Sequence, residues 1–216
     1  MKKYVVNEIF YSPQGEGIRA GEMTVFVRMT GCNLRCSVEP GPLSPGGFDC
    51  DTEFESGRKM TAEQIHDEAK RLVGKPAEWY LEQQDASEPY IIFTGGEPGL
   101  QLDEALVMYL QDQGFRVGIE TNGTVDVSPL GLDWITVSPK VAEHAVKQAE
   151  ATEIKYVRGY GQAIPKPSCN AVYKLISPAT SGLEFDHRAV AWCRQLIAEN
   201  PEWRLTCQLH KVWNLR

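Results

Sequence analysis

Residues 90–123 read YIIFTGGEPGLQLDEALVMYLQDQGFRVGIETNG, and their order decides the fold. YIIFT (90–94) is a short run of apolar and β-branched residues that stops abruptly at GGEPG, the mark of a buried strand. LDEALVMYLQDQG then has helical spacing, with Leu102, Leu106, Tyr109 and Leu110 available to one side and Gly114 as a stop. FRVGIETNG is a second strand that ends in a polar turn. A strand, a helix and a strand at this spacing form the unit that lays strands side by side in parallel.

The same alternation extends outward in both directions. MTVFVRMTG (23–31) runs as a strand into a cysteine-bearing loop, and WITVSPK (134–140) repeats the strand-then-polar pattern. IKYVR (154–158), VYKLISP (172–178) and WRLTCQL (203–209) read as later strands, and AVAWCRQLIAEN (189–200) as a helix. Thr61 caps a helix over AEQIHDEAKRLV, with Gln64 completing a capping box. The expected architecture is α/β, a partial TIM-like barrel with a curved, mainly parallel sheet of about six strands. A complete eight-strand barrel would strain a chain of 216 residues. No internal repeat or linker divides it, so the expectation is a single domain over 1–216. GCNLRC, GGEP, ETNG and SPK each follow a strand directly, and in parallel α/β folds that edge is where loops converge.

Formal charge is −7, which disfavours general affinity for a nucleic-acid backbone. The opening MKKYVVNEIFYSPQGEG carries no signal-like apolar stretch, and no segment approaches the roughly 20 apolar residues of a membrane span. The reading is therefore a soluble cytoplasmic protein. In that setting the six cysteines point to metal or chemistry before disulfides. Cys193, in a helix, and Cys207, in a strand, read as core; Cys169 lies in a polar, proline-flanked stretch and is open. Cys32 and Cys36 in GCNLRC, with Cys50 opening CDTEF, form a set of three thiols. Zinc would need a fourth ligand, for which Cys169, Cys207 or His210 could serve, in a zinc-stabilised binding protein. An iron–sulfur centre held by three cysteines would instead leave one iron open.

CNLRC with the later CDTEF resembles the cluster loop of the radical S-adenosylmethionine enzymes, written CxxxCxxC, and GGEP resembles the glycine-rich motif of that superfamily. Thirteen residues separate Cys36 from Cys50, and the prolines and glycines among them suit a looped insertion around 37–49. SPQGEG, FVRMTGCNLRC, CDTEF, TGGEP, ETNG, SPK and QLHKVWNLR together resemble, more narrowly, the 7-carboxy-7-deazaguanine synthases. A glycyl-radical activase shares the cluster and GGEP logic but acts on a polypeptide.

The resemblance implies a [4Fe–4S] cluster on Cys32, Cys36 and Cys50, with S-adenosylmethionine on its open iron. It implies contacts to that cofactor from Gly95, Gly96, Glu97, Ser138 and Lys140. Gln14, Glu16, Arg28, Glu120, Asn122, Gln208 and His210 match substrate-facing positions, and Thr52 a magnesium ligand. The implied reaction contracts 6-carboxy-5,6,7,8-tetrahydropterin to 7-carboxy-7-deazaguanine with loss of ammonia, on the route to queuosine. The resemblance implies that a deoxyadenosyl radical takes hydrogen from the substrate and that hydrogen is later returned to the rearranged intermediate, regenerating S-adenosylmethionine. An external one-electron reductant such as flavodoxin and a homodimer are implied as well. Arg28 suits a substrate carboxylate because a guanidinium donates two parallel hydrogen bonds.

Overall fold

The computed structural model describes residues 2–37, 50, 52–74, 89–181 and 184–213. The cysteine-loop insertion, Asp51 and the terminal Arg216 lie largely or wholly outside these residues. Eleven strands occur among them: β1 (Tyr4–Pro13), β2 (Met23–Met29), β3 (Arg58–Met60), β4 (Tyr90–Gly95), β5 (Arg116–Thr121), β6 (Trp134–Val137), β7 (Glu150–Arg158), β8 (Asn170–Pro178), β9 (Thr180–Ser181), β10 (Glu184–Phe185) and β11 (Trp203–Leu205). Nine form one sheet in the order β11-β8-β7-β6-β5-β4-β2-β1-β3. The run from β2 to β11 is parallel, while β1 pairs antiparallel with both β2 and β3. The sheet is an open, partial barrel, with β3 and β11 at its two edges.

The parallel strands follow the expected order, but the sheet is wider than about six strands because β1 and β3 join it. β1 escapes a pattern reading because its register shifts between Val6 and Glu8, so the alternation changes phase in mid-strand. Tyr4 and Val6 point into the helix-side core, whereas Glu8 and Phe10 lie opposite Arg28 and Phe26. WRLTCQL also proves shorter as a strand. β11 ends at Leu205, leaving the partly exposed Cys207 beyond it.

Four α-helices are described: α1 (Ala62–Val73), α2 (Glu104–Asp112), α3 (His187–Glu199) and the short α4 (Leu209–Val212). None is long and apolar enough to cross a membrane. Thr61 and Gln64 form the expected capping box on α1. Asp103 caps α2 by accepting from Leu106 N (3.0 Å), and also accepts from the Tyr4 hydroxyl (2.8 Å) and Lys2 Nζ (2.7 Å). That one carboxylate therefore sets the helix against β1. Val25, Val27, Met29, Ile91, Phe93, Val117 and Ile119 pack beneath α1 and α2 as the main core. A second core gathers Ile154, Tyr156, Ile176 and Trp203 with Cys169 and Cys193, both buried. Cys169, open in sequence, is thus a core residue.

The opposite face of the sheet is divided. Its lower half holds Phe10, Phe26, Tyr90, Ile92 and, partly buried, Trp134. Arg19, 6% exposed, closes this half by lying over the Tyr90 ring at 3.2 Å, with its Nε on Glu22 (2.9 Å). Towards the carboxyl ends of the strands the same face turns polar. Register places Glu8 beside Arg28, Arg28 beside Thr94, Glu120 beside Thr136, and Thr136 beside Glu153.

Candidate active site

The loops after β2, β4 and β5 are built as one piece. Gly96 N donates to Met29 O (3.1 Å) and Glu97 N to Gly31 O (2.9 Å), while Gly31 N reaches Phe54 O (2.8 Å) in CDTEF. GGEP is therefore bonded to the backbone that carries the first cysteine. Gly95 has φ +107°, which L side chains rarely adopt, and a Cβ on Gly96 would run into the Gly31 carbonyl. Gly96→Ala is expected to displace the cysteine loop rather than unfold the chain, with a cost of about 1–3 kcal/mol. Cofactor affinity measured by equilibrium binding should fall further than the unfolding midpoint suggests.

Cys50 N donates to Cys36 O (3.3 Å), which brings the third cysteine back to the second across the insertion. Cys32 Sγ accepts from Leu34 N (3.4 Å), and the Cys50 thiol faces Thr52 O (3.5 Å). Burial pushes the Cys32 thiol up, with Glu97 and Cys50 adding negative charge nearby. Burial likewise raises Cys36, to which Cys50 and Cys32 contribute while Lys140 opposes. The three sulfurs thus stand within one another's electrostatic field.

Among the described residues, no group of three or more His, Cys, Asp or Glu side chains is arranged to hold a metal ion. A single ion needs its donors converged on one point, whereas a four-iron cluster takes each thiolate on a different iron and sets them wider apart. Three soft donors, with no fourth gathered beside them among the described residues, fit such a cluster better than a closed zinc site.

Glu97 is fully buried. Its Oε1 accepts from Thr121 Oγ1 (2.7 Å) and Gly99 N (2.9 Å), and its Oε2 from Asn122 N (2.7 Å). Burial raises its pKa, and the three donors resist that rise. The carboxylate thereby fastens GGEP to the ETNG turn. Lys140 Nζ donates to Ser138 Oγ (2.9 Å), and Ser138 N to Thr121 O (2.8 Å), which sets SPK beside the same turn.

Most of the residues expected to face substrate gather on the polar half of the inner face. Gln14 Nε2 donates to Glu120 Oε1 (3.0 Å) and Thr94 Oγ1 to Glu120 Oε2 (3.1 Å). Glu16 N donates to Gln14 Oε1 (3.1 Å), and the Glu16 carboxylate pairs with Lys155. Arg28 pairs with Glu8 (3.3 Å) and lies over Phe10. The C-terminal segment reaches the same loop: Leu209 N donates to Gly15 O (2.8 Å), and His210 packs on Gly15. Gln208 Oε1 accepts from Thr180 Oγ1 (3.1 Å). Gln14, Glu16, Glu120 and His210 are thus neighbours, while Arg28 stands two strands from Glu120.

Thr94, Glu153 and Lys155 belong to this face; Thr94 stands in TGGEP without an assigned role, and Glu153 and Lys155 lie in no motif. Their signal is phase: Glu153 and Lys155 flank the outward Ile154 in β7. Glu153 accepts from Ile18 N (3.0 Å) and Thr136 Oγ1 (2.9 Å), and burial raises its pKa. The folded state therefore keeps this proton to higher pH than the unfolded chain, so its contribution falls as pH rises through the folded pKa. Unfolding midpoints of Glu153→Gln against the parent, taken between about pH 4 and pH 7, should move in favour of the variant as pH rises.

No family model matches the chain. It is 37% identical over 217 aligned residues to the 7-carboxy-7-deazaguanine synthase of Nitratidesulfovibrio vulgaris, covering 96% of this chain and 97% of that protein. It is 36% identical to the synthase of Bordetella pertussis (96% and 97% covered) and 35% identical to that of Bradyrhizobium diazoefficiens (99% of each). The fold matches the crystal structure of QueE from Escherichia coli with a TM-score of 0.64 at 24% identity, over 96% of this chain and 95% of that one. At these identities and this coverage, the chain belongs to the 7-carboxy-7-deazaguanine synthase family of enzymes.

Proposed function

We propose that this protein contracts 6-carboxy-5,6,7,8-tetrahydropterin to 7-carboxy-7-deazaguanine with loss of ammonia, a carbon–nitrogen lyase reaction feeding queuosine and other 7-deazapurines. The observation that carries the reading is the hydrogen-bonded union of CNLRC, GGEP and ETNG at one sheet edge, next to the Gln14–Glu120 pair. Cys32, Cys36 and Cys50 hold a [4Fe–4S] cluster. Gly95 and Gly96 offer close backbone approach to S-adenosylmethionine, with Glu97 beneath them and Ser138 and Lys140 alongside. Together the bound cluster and S-adenosylmethionine supply one-electron chemistry that removes a substrate hydrogen atom and returns one.

The chain's own residues orient the pterin. Glu120, steadied by Gln14 and Thr94, accepts from ring N–H groups, and Asn122 carries the adjoining turn. Arg28 exchanges Glu8 for the substrate carboxylate. Glu16, Gln208 and His210 close the pocket from the other side, and Thr52 offers a hard oxygen to Mg2+. A rigid pocket of this kind contributes through positioning. The protein works as a single domain with a cluster-loop insertion, in a cytoplasmic homodimer served by an external reductant such as flavodoxin, and binds neither nucleic acid nor membrane.

The test is anaerobic reconstitution with iron and sulfide, followed by turnover with S-adenosylmethionine, Mg2+ and reductant. Formation of the deazaguanine acid and ammonia is expected. A stoichiometric zinc protein that takes up no iron and leaves the pterin unchanged would overturn the assignment.

A further inference from the structure

We propose that Asn33, through a closed ring of side-chain hydrogen bonds with Thr124 and Asn122, is a positioning residue that holds the substrate turn in register with the cysteine loop. Asn33 lies between Cys32 and Cys36 on the loop after β2, whereas Asn122 and Thr124 lie on the turn after β5. Asn33 Nδ2 donates to Thr124 Oγ1 (2.7 Å), and Thr124 Oγ1 donates to Asn122 Oδ1 (2.6 Å). Asn122 Nδ2 then donates back to Asn33 Oδ1 (3.1 Å). Each of the three side chains both gives and accepts once within the ring. Hydrogen bonds that run in one sense round a circuit polarise one another.

Two further bonds tie the ring to its surroundings. Thr124 N donates to Asn122 Oδ1 (2.9 Å), and Asn122 N donates to the buried Glu97 carboxylate (2.7 Å). Asn122 Oδ1 thereby accepts twice while Nδ2 keeps a second N–H outside the ring, so the ring fixes the residue two positions after Glu120 and leaves Asn122 one donor for the pterin. Asn33 is exposed, and its replacement removes no core contact. The ring runs from the exposed Asn33 through the half-buried Thr124 to the buried Asn122, and so crosses between two loops. Its consequence is geometric: the turn that follows Glu120 at the end of β5 is tied by side chains to the loop carrying Cys32 and Cys36.

This inference rests on the proposed reaction, in which hydrogen is returned and S-adenosylmethionine is regenerated. A substrate held out of register would be attacked without completing the cycle, so deoxyadenosine would be released without product. A misplacement of this kind costs up to about a hundredfold in rate. Asn33→Ala and Thr124→Val are each expected to lower product turnover per cluster by roughly ten- to a hundredfold and to raise the ratio of deoxyadenosine to product. Thr124→Ser keeps the hydroxyl and should restore both. The double variant should be no worse than either single one, because both changes break the same ring.

In the protein before iron loading, amide hydrogen exchange across 121–124 should quicken about five- to tenfold in Asn33→Ala, the effect of losing one or two modest hydrogen bonds. An unchanged deoxyadenosine-to-product ratio in Asn33→Ala, or additive losses in the double variant, would overturn the positioning role. If the parent protein makes no product from the pterin, the assigned reaction fails. The exchange measurement then still decides the ring, and unchanged exchange in Asn33→Ala overturns it.

Discussion

Cys50→Ser is expected to abolish turnover and the dithionite-bleachable iron–sulfur absorbance while leaving the unfolding midpoint within about 0.5 kcal/mol of the parent. The asymmetry follows from where the thiol sits. Cys50 is exposed and joins the fold through its backbone bond to Cys36, so serine removes a soft donor and little packing. Cys193 gives the reverse result. It is fully buried on α3, in the core with Ile154, Tyr156 and Ile176, where burial pushes its thiol up to about 11, so it stays a neutral packing group. Cys193→Ser should cost about 1–3 kcal/mol by burying a hydroxyl, yet load iron normally. Iron content and unfolding midpoints measured side by side would separate the two cases. A fully loaded, active Cys50→Ser protein would remove Cys50 from the ligand set.

Glu97→Gln should be far from silent although it changes one atom. The carboxylate accepts three hydrogen bonds and faces no acceptor of its own. An amide NH2 must then point either at Asn122 N–H or at the Thr121 and Gly99 side, and in both orientations two donors meet. The expected cost is about 2 kcal/mol, or roughly 4–8 °C in the melting temperature for a chain of this size. Glu97→Ala, which leaves three donors without a partner at the floor of the site, should cost about 4 kcal/mol. Both should lower turnover by more than the loss of folded protein, because the ETNG turn loses its anchor on GGEP. A Glu97→Gln protein with parental stability and rate would show that the carboxylate does not hold the turn.

The parallel strands were legible because YIIFT, VGIET and WITV are largely buried and stand out as mainly apolar runs of strand length. Placement of GCNLRC, GGEP, ETNG and SPK at one edge followed from that, since every parallel strand delivers its loop to the same side. β1 was not legible, because the shift at Asn7 breaks its alternation. Nor was α4, a short turn whose place depends on the bond from Leu209 N to Gly15 O across almost the whole chain. Glu153 and Lys155 escaped notice for a related reason. A charged residue in a strand looks the same in sequence whether it meets water or the polar half of a barrel.

The three cysteines and the motif after each strand came from the sequence alone, since loop chemistry and strand periodicity are local properties of the chain. What those loops do to one another was decided only in three dimensions. Glu97 reads in sequence as a cofactor-side carboxylate in a glycine-rich loop; the fold surrounds it with Thr121, Asn122 and Gly99. Asn33 reads as a spacer between cysteines; the fold closes it into a ring with residues about ninety positions away. The physical reason is that a hydrogen bond needs its partners placed within a few tenths of an ångström. That placement is set by the register of β2, β4 and β5 against each other, which no single stretch of the sequence contains.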